Sequence, residues 1–174
     1  MGEVASPGSP SWTLDIFLRA SADVYRYISR LTGGDEQLTE DIVQETFIAL
    51  MRHQRVAGDV EVGVGWLMTT ARHRLIDHVR SCRREQARVE RHAVGEQLDV
   101  PPIDFGTISA DQVRWMLGQL PLRERVALAL HTVDGLSVAE VARLLDRSVE
   151  ATTSLLARAR RRLRALVLEA ADDR

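Results

Sequence analysis

Lysine is absent from the 174 residues, so all 23 side chains counted as basic are arginine. Exclusive use of arginine suggests a GC-rich coding sequence and says little about chemistry. Cysteine occurs once, at Cys82, which excludes an intramolecular disulfide and a multi-cysteine zinc site and fits a reducing cytoplasm. Long hydrophobic runs are missing too: a stretch such as Val126 to Leu130 stops far short of the roughly 20 residues a membrane helix needs. The chain does not open with a basic segment followed by an apolar one, so no secretory signal is expected. Gly2 and Ser6 match the myristoylation pattern, which is too short to carry weight. What is present, 45% hydrophobic and 28% charged residues with 5% aromatics, is the composition of a soluble globular chain of one or two small domains, and it excludes collagen and wholesale disorder.

The formal net charge of −2 at first argues against a polyanionic partner. Divided along the chain, it changes character. Residues 1–71 hold five arginines against ten acids, and residues 72–92 hold seven against three. Residues 93–142 hold three against seven, residues 143–164 seven against two, and the last ten residues one against three. Two compact basic islands thus alternate with acidic stretches, and each island ends a helically patterned unit, which points to nucleic acid.

Residues 1–11 are rich in Pro, Gly and Ser and are expected to form a disordered tail. From Leu14, the apolar residues Phe17, Leu18, Val24, Ile28 and Leu31 keep helical spacing up to the stop at Gly33 and Gly34. A second helix starts around Asp35 to Thr39 and buries Ile42, Val43, Phe47 and Leu50, with Asp41, Gln44 and Glu45 on its other face. Three glycines and alternating valines make Gln54 to Gly65 a loop, with a short hairpin as the other option. Trp66 opens a third helix with Leu67, Ala71, Leu75, Val79 and Cys82 inward and His73, Asp77, Arg80 and Arg84 outward. The first domain is therefore expected over residues 12–85 and a linker over 86–110, where periodicity fades and Val100, Pro101, Pro102 and Gly106 intervene.

The second domain is expected over residues 111–174. Leu122, Val126, Leu130 and Val133 define a helix ending at Gly135, and Ser137 with Glu140 forms a capping box for a short helix over about 138–145. Asp146 and Arg147 turn the chain, Ser148 caps the next helix, and Val149, Thr152, Leu156, Ala159, Leu163 and Leu166 form its buried stripe. A short helix, a three-residue turn and a longer helix, with small Ala142 at the crossing, is a helix-turn-helix pattern, whose second helix enters the major groove. Thr153, Ser154, Ala157, Arg158, Arg161 and Arg164 lie off the stripe, a set of hydroxyls and guanidiniums suited to phosphates and base edges. The expected fold class is all-α: two small helical domains on a flexible linker, the second with the helix-turn-helix.

Taken together, the two halves resemble the extracytoplasmic function sigma factors of the sigma-70 family, which direct bacterial RNA polymerase to promoters. Residues 38–50 (LTEDIVQETFIAL) resemble the family's polymerase-binding helix, and residues 66–84 (WLMTTARHRLIDHVRSCRR) its helix for the −10 element. Residues 120–164 resemble its −35-binding domain. The resemblance implies that Asp41, Gln44 and Glu45 grip the clamp helices of the largest polymerase subunit, with Phe47 and Ile48 supplying apolar contact. It implies −10 contacts from Arg72, His73, Arg80, Arg83 and Arg84, and a flipped-base pocket in the loop over 54–65. It implies −35 contacts from Ser148, Thr153, Ser154, Arg158 and Arg161. The acidic linker would follow the polymerase's RNA path, an anti-sigma factor would be a further partner, and the site of action would be cytoplasmic. Two departures stand out. His73 replaces the family's usual Asn, and the usual Gly-Thr-Val-Lys-Ser-Arg run is here Glu150 to Leu155, which predicts an altered −35 preference or a weaker contact than the family norm.

Catalysis has little support. His73, Asp77 and His78 have the spacing of a metal-ligand pair, but there is no third ligand motif and no phosphate loop, and Asp77 has Arg74 and Arg80 as ion-pair partners. Neither enzyme activity, a cofactor nor a bound metal is expected. The main alternative is a dimeric helix-turn-helix repressor or activator that acts without polymerase. A helical adaptor with no DNA role is the third option, and it predicts binding that does not depend on salt.

Overall fold

A computed structural model describes residues 10–57, 62–86 and 109–172, and among these it shows seven α-helices and no strand. Of the expected tail over 1–11 and linker over 86–110, residues 1–9 and 87–108 lie outside the described residues, while Pro10, Ser11, Gln86 and Ala110 are helical. Among the described residues, contacts cluster into two compact units, one within 10–29 with 36–57 and 62–75, and the other within 30–35 with 76–86 and 109–172. No described helix is long and apolar enough to cross a membrane.

Helix α1 (Pro10–Thr32), which belongs to the first unit up to Ser29, is stopped by Gly33 and Gly34, both at positive φ, where a Cβ would be strained. Its core face is Ala20, Val24, Ile28 and Leu31, spaced by three or four residues. Leu14, Phe17 and Leu18, expected to continue that face, are exposed instead, because the helix outruns the core it packs on. Next, α2 (Glu36–Ala57) buries Leu38, Ile42, Val43, Phe47 and Leu50, and the buried Thr46 hydroxyl donates to the Ile42 carbonyl at 2.7 Å. The helix continues to Ala57 and buries Gln54, so the first four residues of the loop expected over 54–65 are helical. Then α3 (Val64–Gln86) begins where the Gly63 carbonyl accepts from the Trp66 amide at 3.0 Å; it buries Leu67, Ala71 and Leu75 in its part of the first unit, and Ile76 and Val79 in the part that belongs to the second.

The second unit contains α4 (Ala110–Gly118), α5 (Leu122–Thr132), α6 (Val138–Leu144) and α7 (Val149–Asp172). Sequence periodicity misses α4, yet its start is encoded. The Ser109 hydroxyl accepts from the Gln112 amide at 3.3 Å and the Gln112 side chain accepts from the Ser109 amide at 3.0 Å. That capping box satisfies two of the helix's orphan donors and contributes about 1 kcal/mol. Arg125 on α5 donates to the carbonyls of Gly118 and Leu120 at 2.8 and 2.9 Å, tying down the α4–α5 corner, and burial lowers its pKa from the ordinary arginine value. The end of α5 needs Gly135 at φ 68°, and Val133 lies outside the core stripe it was expected to join.

Between α6 and α7 the chain follows the expected turn. The Arg147 amide donates to the Ala142 carbonyl at 2.9 Å and the Asp146 amide to the Arg143 carbonyl at 3.3 Å, the paired bonds of a Schellman motif. Asp146 takes the left-handed position at φ 52°, where glycine is usual and aspartate is one of the few tolerated side chains. The Ser148 hydroxyl then accepts from the Ala151 amide at 3.1 Å and starts α7. Thr152, Leu155, Leu156, Ala159 and Leu163 bury along α7, whereas Val149, expected in that stripe, is exposed at the helix start.

Two outcomes follow from this packing. Leu163 is 1% exposed and Leu168 60%, so Leu163→Ala should lower the unfolding free energy by about 2–5 kcal/mol. Leu168→Ala should change it by less than about 0.5 kcal/mol in urea unfolding, and the opposite ranking contradicts the assigned face. At the α6 cap, the Ser137 hydroxyl and amide bond to Glu140 and hold its carboxyl below the ordinary value of 4.5. A carboxyl with a depressed folded-state pKa stabilises above its unfolded value, and that contribution disappears as pH falls through the folded value. Glu140→Gln keeps the reciprocal hydrogen bond without the charge, so its melting temperature should fall less steeply than wild type between about pH 5.5 and 3. Parallel slopes would remove Glu140 from the acid response.

Candidate nucleic-acid interface

The face of α2 opposite its core carries Asp41, Gln44, Glu45 and Ile48 at i, i+3, i+4 and i+7, all exposed. Two carboxylates, an amide and a branched apolar side chain on one face can meet an arginine-rich helix while burying some apolar area. Phe47 is not on that face. It is 7% exposed, against 40% for Ile48, and its ring meets Phe17 edge-on with centroids 4.8 Å apart. Phe47 therefore supports the ridge from beneath, and Ile48, with Met51 one turn on, is the apolar group at the surface.

Along α3, His73 is exposed while Arg72, Arg74 and Arg80 are half-buried, and the Arg80 guanidinium reaches Asp77 at 3.4 Å. Arg83 and Arg84 continue the helix, but their side chains lie outside the described residues. At the start of α3, Trp66 stacks at a tilt on His53 of α2, with ring centroids 5.2 Å apart. Cys82 and His78 approach to 3.5 Å one turn apart. Among the described residues, no three His, Cys, Asp or Glu side chains are placed to hold a metal ion.

The buried stripe of α7 leaves Glu150, Ser154, Arg158, Arg161 and Arg164 off the core. The hydroxyls predicted as contacts are already engaged: Ser148 caps Ala151, and Thr153 donates to the Val149 carbonyl at 2.9 Å, keeping its lone pairs as acceptors. Ala157, expected at the surface, is covered. One arginine of the basic run is structural. Arg162 donates to Glu124 of α5 at 3.1 Å, and the Glu124 side chain is only 3% exposed against 52% for Arg162. Leaving a buried carboxylate without this partner would be costly, so Arg162 serves the fold. Sequence reasoning missed the pair because its members are 38 positions apart, with no local pattern to mark them.

With these faces defined, relatives become informative. Residues 16–85 match the family model for Sigma-70 region 2, and residues 110–163 match the one for Sigma-70, region 4. Together the two matches cover more than half of the chain. The chain is 32% identical over 139 residues to the "Probable ECF RNA polymerase sigma factor SigI" of Mycobacterium tuberculosis, which covers 75% of this chain and 47% of that protein. It therefore spans about half the length of that relative. It is 29% identical over 161 residues to the "ECF RNA polymerase sigma factor SigM" of Bacillus subtilis, covering 91% of this chain and 97% of that one. Among solved structures, the sigma factor RpoE in complex with the anti-sigma factor NepR from Bartonella quintana has a similar fold. Its TM-score is 0.50 at 20% identity, covering 88% of this chain and 95% of that one. With region 2 and region 4 in one chain, in that order, and full-length similarity to a named member, this protein belongs to the sigma-70 family, in its extracytoplasmic function class.

Proposed function

We propose that this protein is a sigma factor: a non-enzymatic subunit that binds bacterial core RNA polymerase and directs it to promoters bearing a −10 and a −35 element. The observation that carries this reading is the pairing, in one chain, of an exposed acidic ridge on α2 with a helix-turn-helix whose second helix is basic. A dimeric repressor has no use for the ridge or for a region 2 match, so that alternative is not favoured.

In this reading residues 12–85 form the domain for polymerase and the −10 element, residues 111–174 form the −35 domain, and 86–110 link them. Asp41, Gln44, Glu45 and Ile48 meet the clamp helices of the largest polymerase subunit, with Phe47 as their support. Arg72, His73, Arg80, Arg83 and Arg84 serve the −10 element. Thr153, Ser154, Arg158 and Arg161 serve the −35 element, while Ser148 chiefly fixes the start of α7. The cytoplasm is the place of action, and an anti-sigma factor is a further partner, as in the Bartonella quintana complex.

The ridge gives the decisive test. Reversing Asp41 and Glu45 to Arg together should abolish capture of purified core polymerase and leave the melting temperature close to wild type, because both side chains are exposed. Capture at wild-type level would remove the ridge from the interface. On the DNA side, Arg161→Ala should weaken binding of the holoenzyme to promoters of every −35 sequence alike and reduce the log-log salt slope by about 1, as for loss of one phosphate contact. An unchanged slope would place Arg161 off the DNA.

A further inference from the structure

Arginines close the second unit at two places. Arg125 of α5 donates to the Gly118 and Leu120 carbonyls at the end of α4 and also to the carbonyl of Thr32, the last residue of α1, so one guanidinium caps two helix C-termini. It is only 8% exposed, and those carbonyls together with the Asp35 carboxylate offset its desolvation. The turn after α1 is shaped to fit. A Cβ on Gly33 would stand 2.7 Å from the Arg125 Cδ and 3.1 Å from the Gly118 amide nitrogen, so glycine is needed there for close approach as well as for its backbone angle. Gly135, at a similar φ, has nothing within 4 Å of its Cβ position. The second place is Arg80 of α3, which donates to the Arg143 carbonyl in the last turn of α6 at 3.3 Å.

We propose that this arrangement is a closed state, clasped by Arg125 on the end of α1 and by Arg80 on the end of α6, which has to open before a promoter is read. The proposal rests on the −10 and −35 roles given above. Those elements lie about 25 base pairs apart, roughly 85 Å along the duplex at 3.4 Å per base pair. Arg80 cannot stand on a −10 element and within hydrogen-bond reach of α6 while α6 and α7 sit on a −35 element. In the closed state its guanidinium is engaged by Asp77 and the Arg143 carbonyl instead. Opening breaks the bonds to Thr32 and Arg143 and uncovers Gly33, but the α4–α5 corner keeps its own two bonds from Arg125, so the parts stay folded. Core polymerase with promoter DNA accepts only the open form and shifts the population toward it.

The test is Gly33→Asn in the full chain. Asparagine tolerates the left-handed backbone, so α1 keeps its stop, but its side chain has no room against the corner. Gly135→Asn makes the same backbone demand in open space and is the control. Spin labels on Arg30→Cys and Asp111→Cys, both exposed positions, in a Cys82→Ser background report the clasp by pulsed electron paramagnetic resonance. Free wild type and Gly135→Asn should show one short, narrow separation; Gly33→Asn, and wild type with core polymerase on promoter DNA, should show longer ones. In run-off transcription Gly33→Asn should reach half-maximal output at a concentration about 5- to 150-fold lower than wild type, a gain that misfolding does not produce. The wild-type distances decide the matter even if the variant does not fold. A long separation in free wild type, a short one kept in a holoenzyme that starts at specific promoters, or a folded Gly33→Asn that behaves as wild type overturns the clasp and leaves the −10 and −35 reading intact. A holoenzyme without promoter-specific starts overturns the reading and the clasp together.

Discussion

The four-residue turn from Leu145 to Ser148 is the constraint on which the reading head of the second unit depends. One left-handed residue, Asp146, ends α6 with both Schellman bonds, and the next hydroxyl, Ser148, starts α7. This fixes the exit angle of α7, and the angle decides which of its side chains turn inward. Thr152, Leu155, Leu156, Ala159 and Leu163 go to the core, and the Glu124–Arg162 pair holds the far part of the helix to α5. Only then do Ser154, Arg158, Arg161 and Arg164 fall off the core. Position-specific DNA contact needs that rigidity, because a recognition helix that could rotate by one residue would present a different set of groups.

Charge is distributed to match. A net charge of −2 is the sum of opposed regions. The acidic ridge on α2 suits a basic protein helix, while the arginines of α3 and α7 suit phosphates. Such separation also limits indiscriminate DNA binding, since most of the chain repels a polyanion.

Much of this was legible in the sequence because local chemistry wrote it there. The capping box at Ser137 and Glu140, the turn at Asp146 and the stripe along α7 are short-range patterns, and each appears in the structure as expected, apart from Val149 and Leu166 at the stripe's two ends, exposed and half-buried. The glycine pair after α1 marks its end in the same way. What escaped was tertiary. The Glu124–Arg162 pair depends on two helices meeting, and the burial of Phe47 and Ala157 depends on what covers them. Leu14 and Leu18 carry helical spacing yet stay exposed, and Phe17 is covered only in part, where its ring meets Phe47, which periodicity cannot register. The start of α4 was readable in Ser109 and Gln112 but sat in a stretch whose prolines and acids masked it.

The central claim, that one chain supplies both polymerase binding and promoter choice, is tested most directly by run-off transcription with purified bacterial core polymerase on a library of genomic promoters. The account predicts a discrete set of start sites that appear only when the protein is added, with shared sequences near −10 and −35. Start sites that are the same with and without the protein would contradict it.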